Sequence, residues 1–127
     1  MKKKITGFLV NPYTHEAKRV EFRDELDELY RLLDVRTIDI VTRRVAGLEF
    51  TIVCDDEGLL IDRPRPSAID ESRHAMLVGP LLFTAGTHGE DLEGLTDDDV
   101  KILTRSVGHY RIDGDEKPVP VIVGMDF

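Results

Sequence analysis

Between Phe50 and Ala68 the chain reads FTIVCDDEGLLIDRPRPSA, an apolar run, an acidic turn ending in glycine, a second apolar run and a Pro-Arg loop. The first run favours a strand, and Asp55-Asp56-Glu57-Gly58 supplies the glycine that a tight turn needs for its positive φ. The expected element is a hairpin, with Leu59 to Ile61 as its return strand. Arg63-Pro64-Arg65-Pro66 then reads as neither helix nor central strand, because each proline lacks an N–H and pushes its predecessor toward extended geometry. A stiff, cationic loop is expected there.

The same alternation of short strands and turns continues on both sides. Ile5 to Val10, the turn Asn11-Pro12-Tyr13-Thr14-His15 and Ala17 to Phe22 predict an opening β-hairpin. Leu26, Leu29, Tyr30 and Leu33 recur at helical spacing, with Asp24, Glu25, Asp27 and Glu28 where the helix dipole favours negative charge. Thr37 to Thr42 predicts a third strand, and Ala46-Gly47 interrupts the pattern. Ser67 to Arg73 is read as a helical turn, and Met76 to Thr84 as one strand broken by Gly79-Pro80. Thr96 is a helix N-cap before Asp97, Asp98 and Asp99; Val100, Leu103 and Val107 form the apolar stripe, and Gly108 is the expected stop. In the last run, Val119 to Val123, Pro118 and Pro120 predict an edge position or an extended arm.

These elements predict an α+β fold, a mostly antiparallel sheet of hairpins with two main helices packed on one face. A length of 127 residues suits one domain, 1–127, with 109–127 read as a C-terminal extension or arm.

Charge narrows the partners. Against 17 Lys and Arg stand 25 Asp and Glu, a formal charge of −8, so the average field repels phosphate backbones and disfavours sequence-independent nucleic-acid binding. An acidic surface suits a basic protein instead. The single Cys54 rules out an internal disulfide and a multi-Cys zinc site, and its place on the apolar side of a strand predicts a buried, inert thiol. A cytoplasmic location is expected, because the basic start KKKITGFLV lacks a cleavage site and no apolar run reaches membrane-spanning length.

No recognisable catalytic arrangement emerges. His15, His74, His88 and His109 are scattered without metal-ligand spacing, so neither a metal nor a cofactor is expected. The carboxylate runs Asp55 to Glu57 and Asp97 to Asp99 are accounted for by a turn and a helix start. Ser67, Ser72 and Ser106 lack a nucleophile-elbow setting, and Gly86-Thr87-His88-Gly89 is too short for a phosphate-binding Walker loop. The chain is therefore not expected to be an enzyme. Anion recognition is the sharper reading, because guanidinium forks match phosphate oxygens and a proline-stiffened loop loses little entropy on binding. Its candidates are Arg43, Arg44, Arg63, Arg65, Arg73 and Ser67, with Tyr13 or Phe83 to stack on a base. Against it stands the pairing of these arginines with the surplus of surface carboxylates.

Several of these features occur together and in order: the Asn11-Pro12 turn, the short Leu-rich helix, the Phe50 to Leu60 hairpin, Pro66-Ser67-Ala68, Gly79-Pro80-Leu81-Leu82 and Leu95-Thr96-Asp97. In this the chain resembles the small phage and mobile-element family of unknown function numbered 3846, over most of Phe8 to Val107. Where such sequences carry an Asn in a Pro-x-Asn loop, this chain has Pro64-Arg65-Pro66-Ser67. The resemblance implies an accessory role in a bacteriophage, plasmid or prophage, and it implies no activity. The expected function is non-enzymatic binding that counters host defence by sequestering a phosphorylated nucleotide-type signal, across a homo-oligomer interface. The alternative is an acidic interaction module, with Glu90 to Glu93 and Asp97 to Asp99 binding and inhibiting a basic host protein. No membrane partner is expected.

Overall fold

The structure of the protein, a computed structural model, describes residues 3–57, 64–85, 92–112 and 114–127. Its elements run β1 (Lys4–Asn11), β2 (Glu16–Arg23), α1 (Leu26–Leu33), β3 (Ile38–Val45), β4 (Leu48–Asp55), β5 (Pro66–Ile69), β6 (Ala75–Val78), β7 (Leu81–Ala85), α2 (Asp97–Arg105), β8 (Val107–Tyr110), β9 (Val119–Val123) and β10 (Met125–Asp126). The strands form two sheets, ordered β10-β3-β4-β7-β1-β2 and β6-β5-β9-β8. Every pairing is antiparallel except that of β5 with β9, so the fold is the predicted mixed α+β with antiparallel pairing dominant.

The opening hairpin forms as expected, in register from Lys4 opposite Arg23 to Asn11 opposite Glu16. Asn11 shapes its turn by accepting hydrogen bonds at Oδ1 from the amides of Tyr13 (2.9 Å) and Thr14 (3.3 Å). Ala46-Gly47, read from sequence as an interruption, is itself a hairpin turn between Val45 and Leu48. Its residues have φ of 52° and 80°, the paired positive values of a type I′ turn. The hairpin of β4 is thus with β3. Its other edge is taken by β7, while the return strand expected at 59–61 lies outside the described residues.

Gly79-Pro80 divides what reads as one strand into β6 and β7, which belong to different sheets. Gly79 makes the change of direction with a φ of +76°. The helical turn expected after Ser67 is instead β5 as far as Ile69. Pro66 is its first residue, a place where a missing N–H is tolerated. A turn then returns the chain to β6, closed by the amide of Asp70 donating to His74 O at 3.0 Å.

Two further expectations are corrected. Gly108 does not stop α2: the helix ends at Arg105 under a Ser106 cap, and Gly108 lies within β8. A Cβ there would meet Val123 Cγ2 at 3.0 Å and Tyr110 Cε2 at 3.1 Å, so this glycine serves close approach of neighbouring side chains. The last apolar run is not at an edge, because β9 lies between β5 and β8. Its contact with β5 involves only Ile122 and Val123, which leaves Pro120 beyond the stretch paired on both sides.

The helices do not share a face. The apolar runs of β1, β4 and β7 bury successive residues, as in Leu9-Val10, Ile52-Val53 and Leu81-Leu82, so the six-stranded sheet needs cover on both sides. On one side Phe8, Val10, Phe50, Ile52 and Phe83 pack with Ala68 and Ile122 of the second sheet and Leu103 of α2. On the other, Leu9, Phe22, Val53 and Leu82 pack with Leu29 and Leu33 of α1.

Candidate functional site

The described arginines are dispersed. Arg65, carried by the Pro-Arg loop into β5, is largely buried and its charge is already answered. Nη1 and Nη2 donate to the two carboxylate oxygens of Asp115 at 2.8 and 3.0 Å, and Nη1 also donates to Pro12 O at 2.9 Å. The guanidinium lies 5.5 Å from the Tyr13 ring centre. His15 Nε2 meets the same carboxylate at 2.8 Å. His15 and Arg65, in that order of effect, hold the Asp115 carboxyl below its ordinary pKa. Tyr13 and Arg65 thus come together, as part of a clasp that fastens the chain before β9 to the β1–β2 turn.

The other candidates lie elsewhere. Arg73 adopts a left-handed φ of 68° in the β5–β6 turn and stands at the rim of an apolar cavity of about 240 Å³ with Ile69, Tyr110 and Val121. Arg44 is exposed and in register opposite Glu49, on the face of β3 opposite to Arg43. Ser67 is fully buried and its hydroxyl donates to Leu77 O at 3.4 Å, a structural role. Arg63 lies outside the described residues. The acidic patch of the alternative reading is largely engaged: Asp99 completes the Thr96 capping box and Asp97 pairs with Arg19 at 2.8 Å, while residues 90 and 91 lie outside the described residues.

Arg43 leads to a different site. It helps to line a cleft of about 530 Å³ between the inner face of β3 and strand β6. Asp39, Val41 and Arg43 alternate along β3 on this face, Cys54 stands opposite Asp39 on β4, and Asp55 and Asp56 follow at the end of β4. The far wall is Ala75, Met76, Leu77 and Val78, the whole of β6.

The cleft is electrically uneven. Asp39 Oδ1 accepts from the amide of Ile40 and Asp55 Oδ1 from that of Glu57, both at 2.9 Å. Among the described residues no lysine or arginine pairs with Asp39, Asp55 or Asp56. Arg43 stands four residues from Asp39 along β3, on the order of 13 Å away in an extended strand. Its guanidinium lies 4.7 Å from the Phe127 ring centre, Nη1 donates to Thr42 O at 2.9 Å, and Nε is buried without a hydrogen-bond partner. Cys54 is buried, and its thiol is pushed up to about 11, chiefly by burial and then by Asp39, with Arg43 acting the other way. It is a poor nucleophile at neutral pH.

Of this cleft the sequence offers Arg43 alone as a site residue. Asp39 reads as the polar side of a strand and Asp55-Asp56 as a turn, and no local signal shows that β6 comes to lie across from them.

Residues 5–108 match a family model described as a domain of unknown function, DUF3846. The chain belongs to this family. No curated protein and no solved structure matches it. The DUF3846 region contains the whole of the cleft's β3, β4 and β6 lining and also Tyr13, His15 and Arg65, whereas Asp115 and β9 lie beyond it. Among the described residues no group of three or more His, Cys, Asp or Glu could hold a metal ion, and no helix is long and apolar enough to cross a membrane.

Proposed function

We propose that this protein is a non-enzymatic binding protein whose cleft between β3 and β6 holds a basic segment of another protein. The observation that carries this reading is the set of three carboxylates, Asp39, Asp55 and Asp56, which line one cleft and pair with no described cation. Such a cluster attracts positive charge, and the apolar wall of Val41, Met76, Leu77 and Val78 adds contact area that a small cation would leave unused. The net charge of −8 acts in the same direction, speeding encounter with a basic partner. Cys54, a thiol lining the cleft, is kept protonated, which supports binding rather than covalent chemistry.

This choice reverses the order of the two sequence-based readings. Capture of a phosphorylated signal needs several guanidiniums around one concavity, whereas Arg65 is bound to Asp115, Arg73 stands at another cavity and Arg43 shares its cleft with three carboxylates. Calorimetry with a lysine-rich peptide and, separately, with cyclic and ADP-ribose-like nucleotides tests the choice. Binding of the peptide, weakened at least about tenfold in an Asp39→Asn/Asp55→Asn/Asp56→Asn variant that still folds, is expected. Heat from the nucleotides with none from the peptide would overturn it.

A further inference from the structure

Resting on that reading, we infer that the basic segment binds in extended form, as an added strand on the edge of β6 that pairs with no described strand. Side chains of a strand alternate between its two faces, so a void that touches one face meets every second residue. The cleft meets four in a row, Ala75 to Val78. The register against β5 shifts between Ala68 and Ile69, but one bulged residue accounts for at most one extra contact, so the cleft also reaches the edge of β6, where backbone N–H and C=O groups point. The opposite edge pairs with β5, and no described strand pairs with this one.

The sequence of β6 agrees with an edge kept available. Natural edge strands are commonly blunted by lysine, proline, an inward charge or a β-bulge; AMLV carries none of the first three, although its register against β5 shifts between Ala68 and Ile69. Its length of four residues is itself protective against indiscriminate pairing, which suits an edge reserved for a short segment. Strand addition of this kind takes affinity from main-chain hydrogen bonds and specificity from the places offered to alternate side chains.

Those places are supplied by β3. Asp39, Val41 and Arg43 face the cleft at intervals of two residues, the same period as the side chains of an extended peptide. The geometry selects a ligand in which a basic, an apolar and an acidic residue stand two apart, meeting Asp39, Val41 and Arg43 respectively. Asp55 and Asp56 reinforce the basic position at the cleft end.

The test uses the full chain and a seven-residue capped basic peptide, Lys-Lys-Lys-Val-Ser-Glu-Ser, with two N-methylated versions. One carries methyl groups on the odd-numbered amides and the other on the even-numbered amides, so that each blocks one edge of the extended peptide. The unmodified peptide is expected to bind, one methylated form to lose about tenfold or more, and the other to bind nearly as well. Binding is also expected to slow hydrogen exchange of β6 amides. Equal affinity of all three peptides, or equal loss from both methylated forms, would overturn strand addition. So would failure of the unmodified peptide where a lysine-rich peptide binds, and in each case the acidic-cleft reading would stand. If neither the designed nor the lysine-rich peptide binds, both fall.

Discussion

The clasp and the cleft hold comparable charges under opposite conditions. In the clasp, Arg65, Asp115 and His15 answer one another within 3.0 Å, and Tyr13 covers the guanidinium. In the cleft, three carboxylates share one arginine that stands apart from them and is turned toward Phe127. Each region combines sequence-distant segments. The difference lies in what their charges do: the clasp uses them to hold the chain together, while the carboxylates of the cleft pair with no described cation. A stiff loop bearing arginine is therefore a poor guide to a binding site until its counter-charge is known.

The contrast can be broken most forcefully at Arg65. Arg65→Ala removes the cation from a mostly buried carboxylate, so the melting temperature is expected to fall by several degrees while peptide affinity at the cleft is unchanged. Scanning calorimetry paired with titration reads both. The same removal of charge at Asp39, which pairs with no described cation, should move the melting temperature by no more than about 2 °C. An equal loss at the two positions would erase the distinction.

Acid sharpens it further. The carboxyl of Asp115 has an ordinary value of 3.8 and is held lower in the fold by His15 and Arg65. Its contribution to stability is accordingly complete above 3.8 and is lost as the pH falls through the lower folded value. Thermal melts from pH 7 downward should show this loss in the native chain, and Asp115→Asn should flatten that part of the profile.

At the opposite end of the scale, Cys54 should resist alkylation at pH 8 in the folded chain and react once urea unfolds it, as thiol counting would show. Because its thiol titrates near 11 rather than 9.0, unfolding gains from ionisation between those values, so stability should decline there. The smallest effect is expected at the turn joining β3 to β4. Ala46→Asn creates the Asn-Gly pair favoured by a type I′ turn and should stabilise the hairpin by up to about 1 kcal/mol, leaving clasp and cleft alone.

Local signals made much of the fold legible. The β1–β2 hairpin, the α1 periodicity and the Thr96 N-cap all depend on residues close in sequence, and each forms where expected. The two-sided sheet was harder to foresee, because a run such as Phe8 to Val10 reads as strand without saying that both faces will be covered. Gly79-Pro80 signalled a break but not that the chain changes sheets there. The site suffered most. Arg65 could be singled out by its prolines, yet its partner lies 50 positions away. Asp39 became a cleft residue only because β6, itself positioned by β5, arrives opposite it. Such long-range pairings leave no trace in residue spacing.

The position of β9 has a practical consequence for anyone handling this chain. Similarity ends at residue 108, yet the strand inserted between β5 and β8 is drawn from residues 119–123. A fragment trimmed to the recognisable region would resemble an arch without its keystone, with Ala68 and Val107 deprived of the neighbour they share in Ile122. The stretch that evolution makes visible and the stretch that closes the second sheet have different borders here.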